Sequence, residues 1–243
     1  MTAALLVFLL AAFAVNTWLN VGRFQKLKSQ AGDVDRLSFY KGGLAKSLIL
    51  FFGGAIIGLI VLGRLDAIAA IPTEFGAESL RSVLSAFSPA LVYGVIWTWV
   101  AVVCLASLLG GAQMARMVRA GEALPSGALA ALLPRTSGER FWAGLIALNA
   151  GLSEELFFRL VLPLLLYAVT GQAVLAFVLA VVIFGLGHAY QGLWGIIMTG
   201  LVGLMLGLVY LYSGNLWLAV GIHAGIDLWS LILMPLLVGW KPK

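Results

Sequence analysis

Charge is scarce in this chain: only 10% of its 243 residues are Asp, Glu, Lys or Arg, while 62% are hydrophobic. A soluble domain carries about 25% charged residues, so there is too little polar material here to cover a water-facing surface, and a soluble globular protein is excluded. Cysteine occurs once, as Cys104, which rules out an intramolecular disulfide; within the apolar run 100–109 it reads as a packing residue. No stretch is rich enough in Pro, Gly or Ser to act as a linker, and no internal repeat is visible, so residues 1–243 read as a single transmembrane domain.

What the chain has instead is long apolar runs between short polar breaks. A helix needs about 20 apolar residues to cross roughly 30 Å of hydrocarbon. Seven runs qualify, at 3–21, 44–63, 89–110, 141–162, 172–190, 193–212 and 214–239. The expectation is an all-α polytopic integral membrane bundle of about seven, six to eight, transmembrane helices. The first run has no basic residue before it, unlike a signal peptide, and reads as a retained span. Residues 64–88 are expected partly along the interface, and a kink or helix end is expected after Pro163.

The net charge of +5 comes from basic residues in a few loops, which points to topology rather than nucleic acid. The segment 22–43 with Lys46 holds six basic and two acidic residues, against two basic and three acidic in 64–88. The positive-inside rule puts the first on the cytoplasmic side. Seven spans then place 112–140 and the C-terminus there as well, and the composition suits a prokaryotic plasma membrane.

A charged group at the bilayer centre costs about 2.5–3.5 kcal/mol on insertion scales, so intramembrane ionisable residues are functional or tightly paired. From Phe141 to Trp240 the only ones besides tyrosine are Glu154, Glu155, Arg159, His188, His223 and Asp227, including both histidines of the protein. Glu155 and Arg159, four apart on a helix, can neutralise each other. Glu154 points away from that face and is the carboxylate left for chemistry. In Phe184-Gly-Leu-Gly-His188 two glycines allow close approach of a helix or a substrate backbone. In His223-Ala-Gly-Ile-Asp227 the carboxylate can orient the imidazole or share a metal with it. Glu, His, His and Asp from three helices can supply a base for water, oxyanion stabilisation and a proton for a leaving group, with or without a metal.

These motifs, Glu154-Glu155-x-x-x-Arg159, Phe184-x-x-x-His188 and His223-x-x-x-Asp227, resemble in type and order those of the CAAX protease and bacteriocin-processing family, intramembrane endopeptidases that include the type II CAAX prenyl proteases. The resemblance covers about 140–230, the implied catalytic core; the first three spans carry none of it. It implies Glu154 as the base that activates water, supported by Glu155, Arg159 and Phe184, with His188 assisting at the water or binding metal. His223 and Asp227 would line the oxyanion side or supply further metal ligands. The family often has Asn where this chain has Asp227, and an ionised Asp accepts only, which argues against a pure oxyanion donor there. The implied cofactor is a divalent metal, zinc by ligand type, held by Glu154, His188, His223 and Asp227, although the same residues can run metal-free acid/base catalysis.

The implied partners are a membrane-anchored or lipidated peptide or protein substrate and the membrane lipid. One rival is a transporter or proton relay, which predicts two similar halves with interrupted helices; another is an inactive scaffold of the same fold. One strain remains within the expected spans. Glu154 and His223 fall at nearly one depth, but His188, about 24 Å from the far end of its span, comes out about 10 Å too deep.

Overall fold

In the computed structural model, which describes residues 1–29, 36–76, 78–122 and 131–239, every regular element is helical. Helix α1 spans Thr2–Ser29; α2, Arg36–Ser47, runs through a π turn at Leu48–Gly53 into α3, Gly54–Leu62. Short turns at Leu65–Ile68 and Thr73–Gly76 lead to α4, Glu78–Ser85, and the long α5, Pro89–Ala120. Then come α6, Ser137–Glu155, a π turn at Leu156–Val161, α7, Leu162–Thr170, and α8, Ala173–Leu186. A turn at Ala189–Gln191 precedes α9, Leu193–Ser213, and α10, Leu216–Leu228; a last π turn, Trp229–Leu233, ends in α11, Met234–Leu237.

Five of these are long and apolar enough to cross a membrane: Thr2–Lys28, Arg36–Leu62, Pro89–Ala120, Leu193–Ser213 and Leu216–Leu237. The protein is thus a polytopic helical membrane protein. The two other expected spans, 141–162 and 172–190, are present as helices of a different kind. The first lies in α6 and its continuation, which carries buried charge; the second is α8, only 14 residues long.

Pro163 does not end its helix. The upstream π turn widens the backbone, Leu162 N–H reaches back to Phe157 O, and proline enters at the start of α7, where its missing N–H costs nothing. The helix runs on to a stop at Gly171, whose φ of 69° is the left-handed conformation glycine adopts readily.

The core is aromatic around this continuous helix. Phe157 and Phe158 are buried and pack against Phe51 and Phe13, with Phe158 also edge-on to Phe184 at 5.1 Å. Residues 64–88 fold over one end of the bundle rather than lying only along an interface: Phe75 is buried, edge-on to Phe177 at 4.7 Å. Helix α5 is peripheral, and Cys104 on it is exposed, not packed as its apolar surroundings suggested.

Candidate active site

The ionisable residues meet where α6 crosses α10. A Cβ on Gly151 would lie 2.7 Å from both the backbone nitrogen and the Cβ of Ala224, and 2.9 Å from Val220 O, so only glycine lets the two backbones come this close. One turn further along α6 come Glu154 and Glu155, opposite His223 of α10.

Glu155 is sealed from solvent, 0% exposed, and serves two partners. Its Oε2 sits 2.9 Å from Arg159 Nε, an ionic contact without an aligned hydrogen bond. Its Oε1 is 2.7 Å from His223 Nδ1. A carboxylate accepts, so Nδ1 donates and the chemistry of that ring is left to Nε2, which lies 3.8 Å from Asp227 Oδ2. The i,i+4 pairings expected from the sequence, Glu155 with Arg159 and His223 with Asp227, are both present. The residue that orients the imidazole, however, is Glu155 from another helix, and Asp227 stands at its far side.

Arg159 is buried on the π turn, its guanidinium 4.2 Å from the centroid of the Phe184 ring and its Nη2 donating to Gly203 O at 3.4 Å. A Cβ on Gly203 would meet Phe184 at 2.7 Å. That glycine therefore serves packing inside the bundle, as does Gly185, whose Cβ would lie 2.8 Å from Ile196 O.

His188 lies beyond the end of α8, in the elbow to the turn Ala189–Gln191. Its Nδ1 is 3.1 Å from Phe184 O, which can only accept, so Nδ1 carries the proton and Nε2 is the basic nitrogen. The elbow and the continued helix bring Glu154 and His188 to one depth. With the helix running to Thr170, Glu154 lies about 24 Å from the turn at Gly171, and His188 about 22 Å down the returning chain.

Glu154, His188, His223 and Asp227, with Phe184, line one cavity of about 430 Å³. Glu155 and Arg159 stand behind its wall. Zinc finds no ready cage there: among the described residues no three His, Cys, Asp or Glu side chains are grouped as ligands of one ion. Each histidine keeps its Nε2 open, but no three of the four expected ligands are grouped at one point.

The sequence reading missed the opposite wall. Asn16, Thr17, Asn20 and Arg23 of α1 and Lys46 and Ser47 of α2 also line the cavity. Behind them, Asn149 Nδ2 donates to Ser47 Oγ at 2.9 Å, and Ser47 and Ser153 share a hydrogen bond at 3.0 Å. The signal was available: Asn16, Asn20 and Arg23 recur at helical spacing in an otherwise apolar run.

Compared with known proteins, residues 136–229 match the family model "Type II CAAX prenyl endopeptidase Rce1-like". No curated protein and no solved structure matches the chain. The matched stretch holds all three motifs and every ionisable residue of the cavity's α6, α8–α9 and α10 walls. Over residues 136–229 this membrane protein is thus similar to the Rce1-like type II CAAX prenyl endopeptidases.

Proposed function

We propose that the chain is an intramembrane endopeptidase that hydrolyses a peptide bond of a membrane-anchored or lipidated protein, with water activated by Glu154. The observation that carries this reading is the convergence of Glu154, His188, His223 and Asp227 on one cavity enclosed by apolar helices. Glu154 has no ion-pair partner among the described residues, whereas Glu155 is held by Arg159 and His223. It is the carboxylate free to take a proton.

Water held between Glu154 and the basic Nε2 of His188 attacks the peptide carbonyl as Glu154 removes its proton. The developing oxyanion is met by His223, whose Nε2–H donates when the ring is protonated; Glu155 fixes the ring, and Glu155 and Asp227 favour its charge. Glu154 then passes the proton to the departing amine, so one carboxyl group serves as base and then acid. These roles use the chain's own side chains, whose donors form no metal cage among the described residues. By loop charge, the basic segment 22–43 and the C-terminus face the cytoplasm of a prokaryotic plasma membrane.

The test is hydrolysis of a panel of membrane-anchored peptides by purified wild type, Glu154→Gln and His188→Ala, each with and without a chelator. Glu154→Gln is expected to lose about 10²–10⁴ in turnover while unfolding at the wild-type temperature. Equal cleavage by that variant removes the proposed base. Loss of wild-type activity to the chelator would bring a metal back into the reaction.

A further inference from the structure

The elbow that carries His188 also carries Tyr190, and both line the cavity with Glu154 and His223. The elbow is tightly built. Gln191 N–H donates to His188 O at 2.9 Å and Gly192 N–H to Ala189 O at 3.0 Å. Gly192 then turns the chain into α9 at φ 83° and ψ −175°, a conformation open in practice only to glycine. Gly195, in the first turn of α9, leaves room for the Gln191 side chain, because a Cβ there would collide with Gln191 Cβ.

Within this frame Tyr190 is held by its ring and by its oxygen. The Phe24 ring of α1 lies edge-on to it at 5.1 Å, and the His188 ring, itself 5.1 Å from Phe184, lies 5.9 Å away. Gln191 Nε2 donates to the Tyr190 hydroxyl at 2.9 Å. A phenol that accepts at its oxygen still has its own proton to give. Among the described residues no acceptor receives that proton. The hydroxyl is thus a donor aligned by its neighbour and left open, within electrostatic reach of Glu154 and Asp227. An unused donor among apolar helices is unfavourable until an acceptor joins it.

The reaction brings two candidate acceptors into the cavity, the attacking water and the peptide carbonyl oxygen. Water between Glu154 and His188 Nε2 gives a proton to each and needs its lone pair for the carbonyl carbon. A donor on that lone pair would weaken the attack. The carbonyl oxygen, by contrast, gains charge as the bond forms, and a donor there is strengthened in the transition state.

We propose that Tyr190 is a further catalytic residue of this cavity, its hydroxyl donating a hydrogen bond to the peptide oxygen as water adds to the carbonyl, and that Gln191 is the positioning residue that holds the hydroxyl. The inference rests on the peptidase reading above. As the water oxygen bonds to carbon, the π pair of the carbonyl moves onto its oxygen and Glu154 takes the water proton; Tyr190 keeps its own proton throughout. When the carbonyl re-forms, the C–N bond breaks and the amine takes the proton from Glu154.

Tyr190→Phe keeps both ring contacts and removes one oxygen. The full chain is assayed in phosphatidylcholine vesicles with a membrane-anchored peptide that wild type cleaves. Tyr190→Phe is expected to lower kcat about 10²-fold, with KM and unfolding temperature unchanged. The same peptide with a phosphinate in place of the scissile amide imitates the tetrahedral oxyanion, and Tyr190→Phe should weaken its binding by the same factor as kcat/KM. The unaltered peptide should bind Glu154→Gln equally well with and without Tyr190→Phe. Gln191→Met is expected to cost about tenfold in kcat alone and nothing further beside Tyr190→Phe, since the two act as one unit.

Full turnover in Tyr190→Phe overturns the proposal. So does a loss of peptide binding as large as the loss of kcat/KM, or a phosphinate affinity that stays constant. Additive losses from Gln191→Met and Tyr190→Phe overturn the positioning role of Gln191. A wild-type chain that cleaves no peptide of the panel removes the peptidase reading and this donor with it, whereas wild-type cleavage matched by Tyr190→Phe removes the donor alone.

Discussion

His223 Nδ1 lies 2.7 Å from Glu155 Oε1, and the other oxygen of that carboxylate lies 2.9 Å from Arg159 Nε, so one buried anion fixes a histidine and an arginine at once. Removing one partner of a buried ion pair strands the other and costs about 3–5 kcal/mol. Glu155→Gln is therefore expected to lower the unfolding temperature sharply, because Arg159 is left charged and sealed. Glu155→Gln with Arg159→Met should be less destabilised than the two single changes added together. A double-mutant cycle by thermal unfolding in detergent checks this, and strict additivity would count against the shared role of Glu155.

Asp227 faces the cavity with its side chain 31% exposed, 3.8 Å from His223 Nε2. An amide there can donate a hydrogen bond that an ionised carboxylate cannot. Asp227→Asn is expected to keep turnover within about tenfold of wild type, while Asp227→Leu, which leaves no polar group beside His223 Nε2, should lose about 10²-fold or more. Single-turnover cleavage of one peptide by the three proteins makes the comparison. Similar losses in Asn and Leu would assign Asp227 a role that requires its charge.

The close crossing of α6 and α10 depends on Gly151. Gly151→Ala pushes a methyl group into Ala224 and Val220 O, and overpacking of this kind costs about 1–3 kcal/mol. It should also part Glu155 from His223, so activity is expected to fall further than stability. Gly144→Ala on the same helix meets nothing within 4 Å and should leave both unchanged or raise stability by up to about 1 kcal/mol. Melting temperature and turnover for this pair of variants separate a packing effect from a helix-propensity effect.

Outside the spans, burial pushes the Glu74 carboxyl up, but hydrogen bonds from Arg64, the backbone and Thr73, together with the Arg64 charge, outweigh it and hold the group below its ordinary value of 4.5. A depressed carboxyl stabilises the fold above its unfolded value, and that contribution fades as pH falls through the lower, folded one. Both side chains are partly exposed, so the pair is worth at most about 1 kcal/mol. Protection factors of the Thr73–Gly76 amides, corrected for intrinsic exchange, are expected to fall below about pH 4.5 in wild type and to be low at all pH values in Glu74→Gln.

Much of the site was legible because its pairs are local. Glu155 with Arg159 and His223 with Asp227 are helix neighbours, so spacing alone identifies them. The bond between Glu155 and His223 spans 68 residues, and no periodicity in one segment carries it. Helix positions were legible from hydropathy, but of the kink or end expected after Pro163 no end is found: the distortion is a π turn just before it, which has no sequence signature that separates it from α-helix. The longer helix is what brings Glu154 and His188 to one depth. The wall formed by Asn16, Asn20 and Arg23 escaped notice because a few polar residues near the end of an apolar run look like its boundary.

The helix from Ser137 to Thr170 holds Glu154, Glu155 and Arg159 and is absent from the five segments apolar enough to cross a membrane by themselves. Lipid is a poor first home for such a segment. During synthesis it must leave the insertion machinery with its ion pair already closed, or wait beside α2 and α3 until α10 arrives with His223. In the second case the last third of the chain has to be made before the middle can settle, which ties correct biogenesis of the protein to translation of its C-terminal helices.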